Sequence, residues 1–493
     1  MDKSLDSKNL IQTGKTFIML DAIIIGAGPN GLAAAITLAA KGLSVLLIEE
    51  KETIGGGVRS AQLTLPGYTH DVCSSIYPLA VGSPFFRKLP LSKYGLKWIE
   101  PPAPLAHPFD DGSCILLEKS IAKTCEALGN DASAYHDLLA PFVENWPLLE
   151  DILLGPLALP KHPLVALQFA MKGFLSAKSL IKRFHQEKTK AFFAGLAAHS
   201  ILPLDRSITA AVGLVLGIFG HLNGWPMPEG GAQSISNALG AYFQSLGGKI
   251  EIGKKITSLK DLPEARAILF DLTPRQILAI GGDQLSHYYK NQLEHYRYGP
   301  GVFKMDWALN HPIPWKAKEC LRAGTVHLGD NFEEIAASEK GVWEGKISEK
   351  PYVLVAQHTL FDPTRAPQGK HTAWAYCHVP AGSTVDMTEI IEGQIERFAP
   401  GFRDCILAKS CKNTLAMNHY NANYIGGDII GGVQDIGQLF TRPVKRLVPY
   451  ATSNPKLFIC SSSSPPGGGV HGMCGYHAAT IVLKRLFGLL PSF

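Results

Sequence analysis

Three glycines and an acid hold the clearest chemistry in the chain: Gly26-Ala-Gly28-Pro29-Asn-Gly31, followed by Glu49. Gly26 permits a tight turn, Gly28 lets the backbone approach a pyrophosphate, and Gly31 allows a helix to pack close to a strand. A helix starting there offers unpaired N–H groups to the phosphates. A carboxylate at Glu49 can then accept hydrogen bonds from both ribose hydroxyls. Glu50 competes for that role, but the alternation from Val45 and Leu47 favours Glu49. Around these residues the sequence predicts a buried parallel strand at 20–25, an Ala- and Leu-rich helix from Leu32 to Lys41, a stop at Gly42, and a second strand from Ser44 to Ile48. Strand, turn, helix, strand and acid together predict a dinucleotide site, where the glycines alone would be weak.

The next block is Gly55-Gly56-Gly57-Val58-Arg59-Ser60. A glycine pair after the ribose acid, followed by a basic residue, resembles the extended FAD fingerprint of glutathione-reductase-like flavoproteins. That resemblance implies that Gly55 and Gly56 pass close to the flavin side of the cofactor, and that Arg59 offsets phosphate charge. Arg59 stands three positions after Gly56 rather than directly after it. A second dinucleotide fingerprint is not seen downstream, so neither a dedicated NAD(P)H domain nor a disulfide reductase is expected.

Two later blocks extend the pattern. Residues 225–260 read Trp-Pro-Met-Pro-Glu-Gly-Gly, then a helix from Ala232 to Leu246 and a strand pair around Lys249–Leu259; a return strand and turn follow over 265–274. The C-terminal block runs from Leu457-Phe-Ile-Cys460 through four serines, Pro465-Pro466 and Gly467-Gly-Gly-Val-His-Gly472 into a helix from Met473 to Phe487. With Tyr298–Trp307 and Ala323–Gly329, these blocks resemble the phytoene-desaturase-like flavoproteins (carotenoid desaturases, carotenoid isomerases and retinol saturase). The likeness is closer to a bacterial branch beside the group called pyridine nucleotide-disulfide oxidoreductase domain-containing protein 2. Ser461 to Ser463 replace the Gly-Ala-Gly of the desaturase pattern.

The resemblance implies an α/β fold: a Rossmann-like FAD-binding domain of glutathione-reductase/amine-oxidase type, with a discontinuous α+β substrate domain and a helical cap. The FAD-domain pieces would be 19–85, 225–290 and 452–493, and the substrate domain 86–224 and 291–451. It places Ile256 beside the adenine. It puts Ser463, Gly469, Val470, His471, Gly472 and Met473 under the flavin ring, where helix N–H groups stabilise negative charge.

With FAD as the redox centre, the expected reaction is hydride transfer with a small apolar, isoprenoid- or carotenoid-like substrate, the cofactor carrying the hard chemistry. His471 is the first candidate for a polar group near the ring, against a capping role. His327 is the second, against a satisfied core histidine; His477 flanks the same helix start as His471. Lys304 and Asp306 share a strand face and read as a salt-bridged wall. Tyr420, Asn421 and Asn423 precede a loop that could line the pocket. A C–N-oxidising, amine-oxidase-like flavoprotein and an FAD-bound regulatory scaffold without turnover are the alternatives.

Composition bounds the rest. Hydrophobic residues at 46% and charged residues at 18% of 493 suit a large globular core. A formal charge of +5 without a basic stripe argues against nucleic acid. The nine cysteines include no Cys-x-x-Cys pair, which argues against a disulfide framework or a metal site and suits a cytoplasmic compartment. Residues 1–18 read as a disordered tail without signal-peptide character, and Met19 as a candidate start. The apolar, Lys-spaced stretch at 163–185 suggests either peripheral contact with the inner face of a membrane or a cap with a basic outer side.

Overall fold

The β-branched run Leu20–Ile25 becomes the middle strand of a five-stranded sheet, where flanking strands on both sides bury Ala22 to Ile25. The computed structural model describes residues 19–492; the tail expected over 1–18 lies outside them. All pairings in this sheet are parallel, in the spatial order Leu457–Ile459, Ala265–Phe270, Leu20–Ile25, Val45–Ile48, Lys249–Glu251. Three segments far apart in the chain therefore share one sheet.

The helix Pro29–Ala39 follows the first strand and stops at Gly42, whose φ of 75° no β-branched residue would adopt at low cost. Helix Met473–Val482 crosses it closely: a Cβ on Gly475 would stand 1.8 Å from the Asn30 carbonyl oxygen. Helix Gln233–Ser245 packs on the same core. The strand pair expected over 249–259 is a single strand, Lys249–Glu251. The capping box of Ser258 and Asp261 turns the chain into a 3₁₀ turn over Leu259–Asp261 instead.

The second sheet has seven strands in the order Ile406–Lys412, Gly301–Leu309, His371–Val379, Val353–Ala356, Ala323–Leu328, Ala103–Pro108, Cys114–Leu117. Its pairings are antiparallel except that between Ala323–Leu328 and Ala103–Pro108. Helices Glu187–Ala198 and Thr209–Asn223 cover the face turned toward the parallel sheet. Helix Pro163–Gly173 lies outside them with Leu164, Leu167 and Met171 exposed. Among the described residues no single helix is long and apolar enough to cross a membrane; one bent pair, Pro163–Gly173 with Ala177–Arg183, passes on length and composition only.

Candidate functional site

The glycine turn is tight for measurable reasons. A Cβ on Gly31 would lie 2.1 Å from the Gly26 carbonyl oxygen, and one on Gly28 would lie 2.6 Å from Asp271 Oδ2. Gly56 (φ 55°) folds back on the same turn, where its Cβ would meet the Gly28 Cα at 3.0 Å. Gly28 caps helix Pro29–Ala39 without a side chain, and the buried Asn30 Oδ1 has no partner among the described residues.

Glu49 sits at the end of its strand, buried, and accepts the amide N–H groups of Ala27 at 2.9 Å and Lys51 at 3.0 Å. Glu50 points to the cavity rim near Lys51 and Lys255, each at 3.8 Å. Arg59 lies 3.0 Å from Glu49, donates to the Thr53 carbonyl at 2.7 and 3.0 Å, and sits over the Tyr420 ring. Its guanidinium is thus committed to Glu49 and the local backbone, where the sequence suggested a phosphate. The Tyr420 hydroxyl donates to the Gly56 carbonyl at 2.6 Å. Asn423 accepts the Thr273 N–H at 2.9 Å and donates to the Asp271 carbonyl at 3.1 Å, tying this loop to the end of strand Ala265–Phe270.

One cavity of about 380 Å³ joins these groups to the second sheet. Of the residues expected from sequence, Gly26, Gly28, Pro29, Glu49, Gly56, Arg59, Ile256, Gly469 and Val470 line it, as do Tyr420, Asn421 and Asn423. Gly31, Gly55, Ser463, His471, Gly472 and Met473 stand behind that wall. Ser463 donates to the Gly431 carbonyl at 2.9 Å, and the buried Arg442 braces the serine run through the carbonyls of Ser462 and Ser463. His471 accepts the Met473 N–H at 3.0 Å through Nδ1, capping the last helix; burial holds its imidazole down to about 4. His477 meets the Leu154 carbonyl at 3.0 Å and stacks on Tyr450. Both histidines do structural work in this geometry.

The far end of the cavity is a chamber lined by Leu216, Trp225, Thr325, Leu354, Trp374 and Tyr376. Strand register explains this wall: Thr325 faces Ala356, which faces Trp374, and Leu354 faces Tyr376. The same register sets Lys304 beside Tyr376 and Asp306 beside Trp374. Lys304 and Asp306 form a buried ion pair, as the alternation of the strand suggested, and Lys304 Nζ lies 5.8 Å from the centre of the Trp374 ring. Burial lowers the Lys304 ammonium and raises the Asp306 carboxyl. His327 is buried on its strand and does not line the cavity.

Sequence reasoning missed Asp271, His199 and the aromatic wall. Asp271 ends a parallel strand, a position where acids often face a ligand, but its link to the glycine turn spans 240 residues. Trp374 and Tyr376 share strand His371–Val379 while Trp225 comes from a loop far off in sequence, with no motif to join them.

The cradle fits a dinucleotide: a side-chain-free approach at Gly28 and Gly56, an uncapped helix start, an orphaned Asn30 Oδ1 and a buried acid at Glu49. The family model for the NAD(P)-binding Rossmann-like domain matches residues 24–89, the same unit. Over its length the chain is 24% identical to mouse pyridine nucleotide-disulfide oxidoreductase domain-containing protein 2, covering 94% of each. It is 23% identical to a phytoene dehydrogenase of Streptomyces griseus, covering 78% of this chain and 77% of that one. The solved structure of putrescine oxidase superposes with a TM-score of 0.60 at 18% identity, covering 95% of this chain and 100% of that one. These relationships bear out the resemblance to the phytoene-desaturase-like group and the α/β fold of amine-oxidase type with its second α+β domain. The chain is thus similar in sequence to a phytoene dehydrogenase and shares its fold with putrescine oxidase.

Proposed function

We propose that the protein is an FAD-dependent oxidoreductase that moves a hydride between an apolar, isoprenoid- or carotenoid-like molecule and the flavin. The observation that carries this reading is the continuity of one cavity, from Glu49 and Ile256 past the glycine turn to the chamber of Leu216, Trp225, Leu354 and Trp374. Glu49 would hold the ribose, Gly28 and Asn30 the pyrophosphate, and Gly469 and Val470 the ring. When bound, the flavin supplies the two-electron acceptor or donor. The chain contributes orientation and exclusion of water: the aromatic wall packs the substrate, and the buried Lys304–Asp306 pair stands beside Trp374 and Tyr376 on the same face of the sheet.

Amine oxidation is the second reading, favoured by Trp374 and Tyr376 on the chamber wall with ring centres 5.1 Å apart. Their edge-to-face angle of 82° leaves no open slot between two parallel rings, which supports the apolar substrate instead. A flavin that is neither reduced by candidate donors nor reoxidised in air would point to the scaffold reading.

The surface around helix Pro163–Gly173 supports peripheral membrane contact. Leu159, Leu164, Leu167, Met171 and Phe174 are exposed there, near Lys172, Lys178 and Lys182. The nine free cysteines suit the cytoplasm.

The test is direct. Purified protein should be yellow and release FAD, not FMN, on denaturation, and NADPH should not bleach it rapidly. Colourless protein that takes up no FAD sinks the reading.

A further inference from the structure

Three histidines outside this proposed chemistry stand in a row that runs back from the chamber wall. His199 ends helix Glu187–Ala198, His327 lies on strand Ala323–Leu328, and His107 lies on the neighbouring strand Ala103–Pro108. His199 Nε2 and His327 Nε2 are 3.0 Å apart. At the other end His107 Nε2 is 2.7 Å from the Gly329 carbonyl oxygen. Between them, Nδ1 of His327 and Nδ1 of His107 flank Gly195, where a Cβ would stand 3.0 Å from one and 3.2 Å from the other. Both of these nitrogens are buried without a hydrogen-bond partner. His199 alone of the three lines the cavity, half-buried, with its ring edge-on to Trp225.

The end of the row sets the direction of every proton in it. A carbonyl oxygen only accepts, so His107 carries its proton on Nε2 and turns a lone pair at Nδ1 toward Gly195. Nδ1 of His327 is buried on the other side of Gly195 with no partner of its own, and there the lone pair of His107 repels a second lone pair and favours an N–H. His327 therefore carries its proton on Nδ1 and accepts at Nε2. His199 must then donate from Nε2, which leaves its Nδ1 as an acceptor. All three rings are neutral: burial holds His199 down to about 3 and His107 down to about 4, and pushes His327 well below its ordinary value.

We infer that His199 is a fixed hydrogen-bond acceptor on the wall of the chamber, and that the substrate bears a hydroxyl or N–H group there. This rests on the reading of the chamber as the substrate site. A pure hydrocarbon would leave the acceptor desolvated and unpaired, which costs affinity. A weakly basic nitrogen accepts a hydrogen bond without taking the proton, so the role of His199 is recognition. The substrate class narrows to a largely apolar molecule with one polar donor.

The holoprotein labelled with ¹⁵N-histidine tests this by long-range ¹H–¹⁵N correlation, which reads the tautomer of each ring. The expected pattern is a proton on Nε2 of His199, Nδ1 of His327 and Nε2 of His107. Benzyl alcohol should shift the His199 Nδ1 resonance and toluene should not. The preference for the alcohol should fall about tenfold in His199→Leu, the loss expected for one hydrogen bond. Gly195→Ala, which crowds both Nδ1 atoms without touching the cavity, should disturb the His327 and His107 signals. A proton on Nδ1 of His199, or an equal response to both probes, overturns the inference. Protein that lacks FAD yet shows the pattern and the alcohol response sinks only the cofactor reading.

Discussion

Asp271 Oδ2 accepts the amide N–H of Gly31 at 3.0 Å, setting a carboxyl group at the mouth of the helix that should meet phosphate. Burial raises its pKa well above the carboxylate range; the Gly31 N–H pulls it down, and the nearby Glu49 pushes it up again. A neutral carboxyl can stand beside a pyrophosphate where a charged one would repel it. Asp271→Asn should therefore keep its FAD through gel filtration at close to the wild-type ratio. Asp271→Leu leaves the Gly31 N–H unpaired, costing about 1–3 kcal/mol, and should lose FAD roughly tenfold or more readily. Equal loss in both variants would show that the charge is needed.

Glu49 and Glu50 separate by the same assay. Glu49 anchors Ala27 and Arg59, while Glu50 makes only long rim contacts. Glu49→Ala should release most of its FAD, and Glu50→Ala should not. The reverse ranking would move the ribose to Glu50.

Gly475 tests packing apart from chemistry. Its missing side chain lets helix Met473–Val482 lie against the Asn30 carbonyl, where a Cβ would stand at 1.8 Å. Gly475→Val should cost about 3 kcal/mol or more through overpacking, seen as a lower midpoint in thermal or urea unfolding. An unchanged midpoint would mean that the two helices separate easily.

Acid should unfold the protein early. Burial holds His70, His199 and His358 down to about 3 and His107, His221 and His471 down to about 4. Each has a folded pKa below its unfolded value of roughly 6.5. The unfolded chain therefore binds protons first, so this stability is complete above about pH 6.5 and is lost as pH falls toward 4. Each group contributes up to about 1.4 kcal/mol per pH unit in that window. The melting temperature should be flat from pH 7.5 to 8.5 and clearly lower at pH 5; no change at pH 5 would contradict the neutral histidine row.

What sequence made legible was local. Gly26 to Glu49 is one continuous unit whose glycines, helix and acid sit within reach of each other along the chain, and the structure assembles them as read. The serine run and Gly467–Gly472 were recognisable as a loop before a helix, yet His471 turned inward to cap Met473, since a buried ring beside a free N–H bonds it. Arg59 was expected on a phosphate because its neighbours in sequence suggested it; the turn at Gly55–Gly57 instead aims it at Glu49. The chamber was invisible because Thr325 and Trp374 meet only through the register of a sheet built from distant strands, and Trp225 joins them from a loop. Asp271 and His199 were missed for the same reason.

The edge strand Leu457–Ile459 is the last of the five parallel strands to leave the ribosome, yet it closes the sheet that begins at Leu20. Long-range pairing of this kind is slow, and nothing that emerges earlier can stand in for it. The parallel sheet under the glycine turn is therefore complete only once Leu457–Ile459 has been released. Messages cut short before the codon for Leu457 would yield chains whose parallel sheet lacks its edge strand, and a nascent chain waiting for Leu457–Ile459 would depend on chaperones to shield the exposed edge of Ala265–Phe270.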